Sequence, residues 1–400
     1  MDTYDWIVAG GGASGISLVN HMIDSGLKGN ILLLEKAKKQ SNDRTWCYWS
    51  KESLPGLTGS DSVWDLGEIL TKKNEEKFSM GRISYRMIRS GGFYRQMYDR
   101  FSEHPRVEIR YEKVVSMKGY SDFAEVHTNQ GVYRARYVFN SLLPHSPVAP
   151  NFQWGLKQHF VGTWIETETD TFDPERIRLM DFRVPQGGEV QFVYVLPISP
   201  RKALIEYTAF SLNTWKRDRY LAGIKNYLKT YYDLENYTVL EEESGVIPMS
   251  RQVFPRISDE RVVHIGTAGG MTKASTGYTF HRIQEDSKEI VKNLMETGFP
   301  IPDLKATGRF AFYDRLLLWL IEHEPHRVPE VMRQLFSANS ADQVFRFLHE
   351  KTTLVEEIVF FARLHWPPFL KALRHAVFKT QPARTMGPLA KPSHIDVPLS

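Results

Sequence analysis

Two features of this chain have residue types and spacing that could do chemistry: the pattern Gly10-x-Gly12-x-x-Gly15, and the glutamate Glu206 in the run RKALIEYTAF. In the first, Gly10 permits a tight turn, Gly12 lets the backbone approach a pyrophosphate, and Gly15 allows a helix to pack closely on a strand. The N-terminus of that helix then faces the phosphate charge. Twenty residues beyond Gly15, Glu35 closes the apolar run ILLL, where a carboxylate accepts ribose hydroxyls. Taken alone, GxGxxG marks only a tight turn. Here YDWIVA precedes it as a strand and ISLVNHMIDSG follows as a helix, so strand, turn, helix, strand and acid stand in order.

A second glycine cluster lies in VVHIGTAGGMTKASTGYTF, with Gly266, Gly269, Gly270 and Gly277 set between a strand and a helix. Its distance from the first motif favours FAD over a tightly bound NAD. Many flavoproteins carry in this loop an aspartate that binds the ribitol. Thr267 stands at that position here, so the contact is weaker or different. The plainer reading is an ordinary βα turn.

Glu206 poses a different question. Strand alternation puts Leu204, Glu206, Thr208 and Phe210 on one face and Ala203, Ile205, Tyr207 and Ala209 on the other. If the first face is interior, a carboxylate is buried there, which costs several kcal/mol unless it is partnered or neutral. The plainer alternative is an edge-strand glutamate pointing to water. Asp181, in LMDFR, is a similar case that pairs with Arg183 or a turn.

The elements that must position these residues follow from the patterning. Residues 1–150 and 240–300 read as a discontinuous Rossmann-like nucleotide-binding domain. Within it, 42–65 reads as a long ordered loop, 93–104 as a helix, and 107–111 and 138–140 as strands. From 151 to 239 the period changes to two, in HFVGTWIETE, IRLMDFRV, VQFVYVLPIS and ALIEYTAF. This is an antiparallel-sheet substrate domain with turns at Pro185–Gly188 and Ser199–Arg201, ending in a helix from Trp215 to Tyr232. Residues 301–380 read as amphipathic helices and 381–400 as a flexible, Pro-rich tail. The expected class is α/β (α+β overall).

Composition narrows the function. The 400 residues are 42% hydrophobic and 24% charged, as in ordinary globular domains. A net charge of +4 comes from basic residues scattered among acidic ones, so nucleic acid is not an expected partner. The single cysteine, Cys47, excludes an internal disulfide framework and fits a reducing compartment. It has no neighbouring base, which argues against a nucleophile. His323 and His326 straddle Pro325, which breaks the helix that would align two metal ligands, so no metal is expected. There is no secretory signal and no apolar run long enough to span a bilayer, so a cytoplasmic location is expected. Trp366-Pro-Pro-Phe369 is an apolar knuckle suited either to core packing or to contact with a membrane or an apolar substrate.

Together these residues resemble the lycopene β-cyclase family of FAD-dependent carotenoid enzymes, particularly its bacterial members. The resemblance runs through DWIVAGGGASG, NDRTWCYW, LMDFR, FVYVLPIS, LIEYTAFS, GVIPM, IGTAGGMTKASTGYTF and FYDRLLLWLI, nearly the whole chain. It implies that Glu206, in the motif matching LIEYT, is the catalytic acid, with Asp181 as a lesser candidate. The implied reaction is an isomerisation of the acyclic ends of lycopene. A proton adds at C2, the C5=C6 bond attacks the cation at C1, and a proton leaves C6 to give a β-ring. Reduced FAD would assist, NAD(P)H would keep it reduced, and Phe192, Tyr194 and Tyr207 would offer aromatic faces to the cation. An insoluble substrate also implies peripheral contact with the cytoplasmic membrane. The rival is an FAD-dependent hydroxylase or isoprenoid reductase, and a less favoured reading is a non-catalytic carotenoid carrier.

Overall fold

The apolar run at the start of the chain becomes β1 (Asp2–Ala9), which leads through the Gly-rich turn into α1 (Ala13–Asp24) and β2 (Ile31–Glu35). The computed structural model describes residues 2–39, 41–53, 61–143, 155–249, 254–301, 308–364 and 367–378. After β2 come β3 (Thr45–Ser50), β4 (Asp61–Trp64), β5 (Leu66–Leu70), β6 (Glu75–Ser79), β7 (Ser84–Arg89) and α2 (Ser90–Ser102). Then follow β8 (Val107–Tyr111), β9 (Val114–Gly119), β10 (Ala124–Thr128) and β11 (Val132–Asn140). The next stretch holds β12 (Leu156–Glu166), β13 (Arg176–Asp181), β14 (Val190–Ser199), β15 (Lys202–Ser211), α3 (Arg217–Tyr232) and β16 (Thr238–Met249). The short strands β17 (Ile257–Ser258) and β18 (Val262–His264) precede α4 (Phe280–Thr297). The chain ends its described part in α5 (Gly308–His323), α6 (Val328–Ala338), α7 (Ala341–Leu348), α8 (Leu354–Ala362) and α9 (Pro367–Phe378).

The first sheet runs β17-β18-β11-β1-β2-β8, and β18, β11, β1, β2 and β8 are parallel. Both its faces are covered, which is why β1 and β2 are apolar without alternation. Trp6, Val8, Ile31 and Leu33 pack under α1, α2 and α4, while Ile7, Leu32 and Leu34 meet the β9–β10 meander.

The second sheet runs β16-β12-β15-β14-β13-β5-β6. It is antiparallel except that β5 lies parallel to β13. One face, including Val161, Val193, Ile205 and Tyr207, packs on α3. The other, including Trp164, Phe192, Leu204 and Phe210, packs on α5 to α9. Capping boxes start two of those helices, Ser340 with Gln343 before α7 and Thr353 with Glu356 before α8. Among the described residues no helix is long and apolar enough to cross a membrane.

The expected Rossmann-like unit, hairpin turns and helical C-terminal part are present, with three departures. β5 and β6, at 66–79 within the span 1–150 assigned to the nucleotide-binding domain, belong to the second sheet beside β13. Residues 42–65 are not one loop, because β3 and β4 flank β7 in a small three-stranded sheet. Residues 238–249, assigned above in their larger part to the nucleotide-binding domain, form an edge strand of the second sheet, paired with β12. The β16 sequence TVLEEESGVIPM has mostly exposed or half-buried side chains, so it carries little apolar alternation to read. Trp366 and the tail from 379 lie outside the described residues.

Candidate active site

Two cavities meet in the space between the first sheet and the apolar face of the second. The more polar one, about 430 Å³, begins at the start of α1, where Gly12, Ala13 and Ser14 form part of its wall. Gly10 turns the chain there at φ +103°, and a Cβ on Gly15 would stand 2.0 Å from the Gly10 carbonyl oxygen. A Cβ on Gly12 would instead meet nothing within 4 Å, so this glycine opens onto free space. No side chain caps α1 and its first turn holds no acid, leaving backbone N–H groups for an anion.

Glu35 sits behind this turn rather than in the cavity wall. Its Oε2 accepts from the Gly11 N–H at 2.7 Å and its Oε1 from the Lys36 N–H at 2.9 Å, so the carboxylate braces the loop. The second glycine cluster supplies Thr267, Thr276, Gly277 and Tyr278 to the same cavity. Gly266 allows the approach, since a Cβ there would lie 1.9 Å from Ser14 Oγ. Gly269 and Gly270, expected to touch a cofactor, do not line the cavity. They shape a 3-10 turn against the His264 backbone and Phe254.

Gln158 and Thr276 line this cavity, and their Oε1 and Oγ1 atoms, closed off from its open space, have no hydrogen-bond partner among the described residues. What the cavity offers a polar ligand is the uncapped start of α1. The donors and the cradle suit a dinucleotide.

Glu206 stands in the wall of the same cavity. Register places it between Tyr194 on β14 and Gly162 on β12. It is half-buried, its accessible edge turned into the cavity, and it accepts from Thr208 Oγ1 at 2.9 Å. Burial, and then the negative charge of Glu243, push its carboxyl up to about 8 against the pull of the Thr208 hydroxyl. Near pH 7 this shift favours the protonated form. The neighbouring Cys47 thiol and the Tyr194, Tyr278 and Tyr85 phenols are all pushed upward by burial and stay neutral.

The second cavity, about 250 Å³, is almost wholly apolar. Phe182, Phe192 and Phe210 line it from the sheet, and Phe312, Phe345 and Phe361 from the helices. Tyr194 and Tyr278 belong to both cavities and mark where they join. The Tyr278 and Tyr85 hydroxyls lie 3.2 Å apart. Phe369, from the apolar knuckle, lines this cavity as well.

Two residues expected at the chemistry, rather than at the cofactor, lie on the opposite side of the sheet. Asp181 pairs with Val193 and so faces α3, on the side of the sheet away from Glu206. It is fully buried, held by Arg183 at 2.6 and 2.9 Å and by the Tyr227 hydroxyl at 2.7 Å. Tyr207 also turns to the α3 side and donates to Gln191 Oε1 at 2.8 Å. Phe192 and Tyr194 keep the side of Glu206. Sequence reasoning missed Glu243, Thr45 and Tyr278. The last two sit inside motifs already noted, whereas Glu243 is hidden in a run of three glutamates that reads as solvated charge.

Residues 5–374 match the family described as lycopene cyclase protein. Among curated proteins, the lycopene beta cyclase of Capsicum annuum is 22% identical over 302 residues, covering 70% of this chain and 58% of that protein. The Solanum lycopersicum enzyme matches at 22% identity over 57% of its length. The chain thus spans little more than half the length of these relatives. Among solved structures, a geranylgeranyl bacteriochlorophyll reductase-like protein of Thermoplasma acidophilum aligns with a TM-score of 0.58 at 14% identity, over 94% of this chain and 100% of that one. A variant of HpxO from Klebsiella pneumoniae, solved with FAD, aligns with a TM-score of 0.57 at 15% identity, over 87% of this chain and 98% of that one. At such identities the shared property is the fold, that of Rossmann-like flavoproteins.

Proposed function

Because this chain belongs to the lycopene cyclase family, we propose that it is a flavin-dependent lycopene β-cyclase, closing the acyclic ψ-ends of lycopene into β-rings with no net redox change. The observation that carries this reading is the position of Glu206, a carboxyl pushed up to about 8 where a polar, dinucleotide-like cavity meets an aromatic one.

FAD would lie with its pyrophosphate against the start of α1 at Gly12, Ala13 and Ser14. Glu35 would brace the Gly11 turn under the cofactor, and Thr267 would take the place of the usual loop aspartate. When bound, the reduced flavin supplies negative charge that stabilises a carbocation, and NAD(P)H serves only to keep it reduced. The protein's own residues do the rest. The apolar cavity takes the hydrocarbon and excludes water that would hydrate a cation. Glu206 holds the proton that goes to C2. Phe192 and Tyr194, on the same side of the sheet, turn aromatic faces to the positive charge that develops.

The substrate's insolubility calls for loading from lipid. On α8, Leu354 (60% exposed), Val355 (72%), Ile358 (68%) and Val359 (43%) form an outward aliphatic stripe. Phe361 and Leu364 at the far end of this segment line the apolar cavity. We therefore assign α8 to peripheral contact with the cytoplasmic membrane.

The test is turnover of lycopene in D₂O by FAD-loaded protein, reduced chemically under anaerobic conditions. The expected product carries one non-exchangeable deuterium at C2 per ring and accumulates over many turnovers without NADPH. Rings without deuterium would overturn the proposal. So would consumption of one nicotinamide per product with a change of skeleton mass, the signature of a hydroxylase or isoprenoid reductase.

A further inference from the structure

Glu206 does not face its cavity as a solitary carboxyl. β15, β12 and β16 are adjacent strands, and Glu206, Gly162 and Glu243 lie in one cross-strand row. Residues directly opposite one another share a face of the sheet. The middle position has no side chain, and the slot it leaves is shared by Leu204 and Glu243: a Cβ placed on Gly162 would lie 3.0 Å from Leu204 Cδ1, 3.1 Å from Glu243 Cγ and 3.5 Å from Glu243 Oε1. Glu243 thus leans over the glycine of the row, with Leu204 closing the slot beside it. Glu243 is buried, and its Oε2 accepts from Thr45 Oγ1 at 2.5 Å.

We propose that Glu206 and Glu243 form a carboxyl pair holding one proton, in which Glu243 is the positioning residue: it carries the negative charge and keeps the proton on Glu206. The pairing rests on the register and the slot. Only the use to which the proton is put rests on the cyclase reading.

Two carboxyls in one cross-strand row resist ionising together, because each charge raises the cost of the other. The surroundings decide which one ionises. Around Glu206 stand Thr208 on its own strand, Tyr194 on β14, Cys47 on β3 and Tyr278 from the second glycine loop, with Tyr85 on β7 behind them, all neutral. Around Glu243 stand the Thr45 hydroxyl and the cations Arg44 and Arg89. Its like-charged neighbour Glu241 is itself engaged by Arg89 and Asn42. Burial pushes Glu243 upward, but Thr45, Arg44 and Arg89 pull it back, whereas among the described residues no cation acts on Glu206. The charge therefore settles on Glu243.

The proton count is closed over a turnover. The pair begins with one negative charge. When the Glu206 O–H bond breaks and a C–H bond forms at C2, the pair holds two. The proton released from C6 leaves to solvent, and Glu206 takes up a proton from solvent, which restores the single charge. The repulsion in the doubly charged state favours rapid recovery of that proton.

The experiment follows the protonated-carboxyl stretch of Glu206 by infrared spectroscopy across a pH titration of the purified protein, the band being assigned by its loss in Glu206→Gln. In the native chain the midpoint is expected near 8. In Glu243→Gln the proton affinity of Glu206 should fall at least tenfold, while Glu243→Asp, which keeps the charge, should leave the midpoint near the native value. If Glu243→Gln fails to fold, Thr45→Val serves: without its hydroxyl donor Glu243 holds a proton more readily, and the single Glu206 step should broaden into two. An unchanged or raised midpoint in Glu243→Gln, or an unbroadened step in Thr45→Val, overturns the pair. The alkaline limb of lycopene turnover should move with the infrared midpoint. A shifted midpoint in a protein that turns over no lycopene would leave the pair standing and refute the cyclase reading instead.

Discussion

Protonating an alkene demands an acid that is both strong enough and un-ionised, and Glu206 meets the second condition at a cost to stability. Its carboxyl rises from an ordinary 4.5 to about 8 on folding. Between those values the folded chain binds a proton that the unfolded chain has lost, so raising the pH through this window weakens the fold. Glutamine needs no such proton. Glu206→Gln should therefore cut cyclisation by on the order of 10²–10⁴-fold, as expected for removal of a general acid. Flavin should stay bound, and the variant should melt higher than the native protein at pH 8 and no higher at pH 4. Pigment analysis paired with calorimetry at both pH values reads this out. Near-normal activity in the variant would remove Glu206 from the chemistry.

At the scale of elements, β13 is fastened to α3 by Asp181, which gathers Arg183 and Tyr227 about one fully buried carboxylate, with Arg178 at 3.8 Å. Removing one partner of a buried ion pair strands the other. Both arginines keep some exposure, so Asp181→Asn should cost on the order of 2–4 kcal/mol in denaturant unfolding. Turnover at low temperature should stay within about threefold of native. A hundredfold fall in turnover with unfolding unchanged would show that Asp181 acts at the site after all. How far the sequence disclosed this architecture depends on the range of each signal. The β1–α1–β2 unit is legible because its glycines and Glu35 act within one local motif, each doing a stereochemical task that few other residues perform. The face of Glu206 is legible because β15 alternates. Tyr207 illustrates the limit of proximity: it is the next residue to Glu206 in sequence and for that reason points the opposite way. Glu243 could not be found at all, since its meaning depends on which strand lies two places away in the sheet, and β16 carries the charges of an exposed edge.

For the molecule as a whole, a hydrocarbon would on the proposed reading pass from the aliphatic stripe of α8 to the apolar cavity without entering bulk water. Transfer to water costs about 0.8 kcal/mol per CH₂, which a forty-carbon chain cannot bear. Placing charges on the stripe with Val355→Glu and Ile358→Glu should reduce flotation with phospholipid vesicles about tenfold. Flavin content should be unchanged and turnover of lycopene presented in those vesicles should drop in parallel, whereas turnover of detergent-dispersed lycopene should not. Equal flotation of native and doubly substituted protein would place membrane contact elsewhere.

The pairing of β11 has a consequence for how the chain is made. One flank of this strand takes β1, at residues 2–9, and the other takes β18, at residues 262–264. A nascent chain shorter than residue 262 thus carries an open flank at Val138–Asn140, with the intervening β12–β16 stretch already made. Synthesis at about 5–20 residues per second leaves that flank waiting through the whole of the second sheet, and unpaired strand edges invite pairing with other chains. Completion of this parallel sheet is accordingly a late event in biogenesis, and on the proposed reading capture of FAD would be late as well.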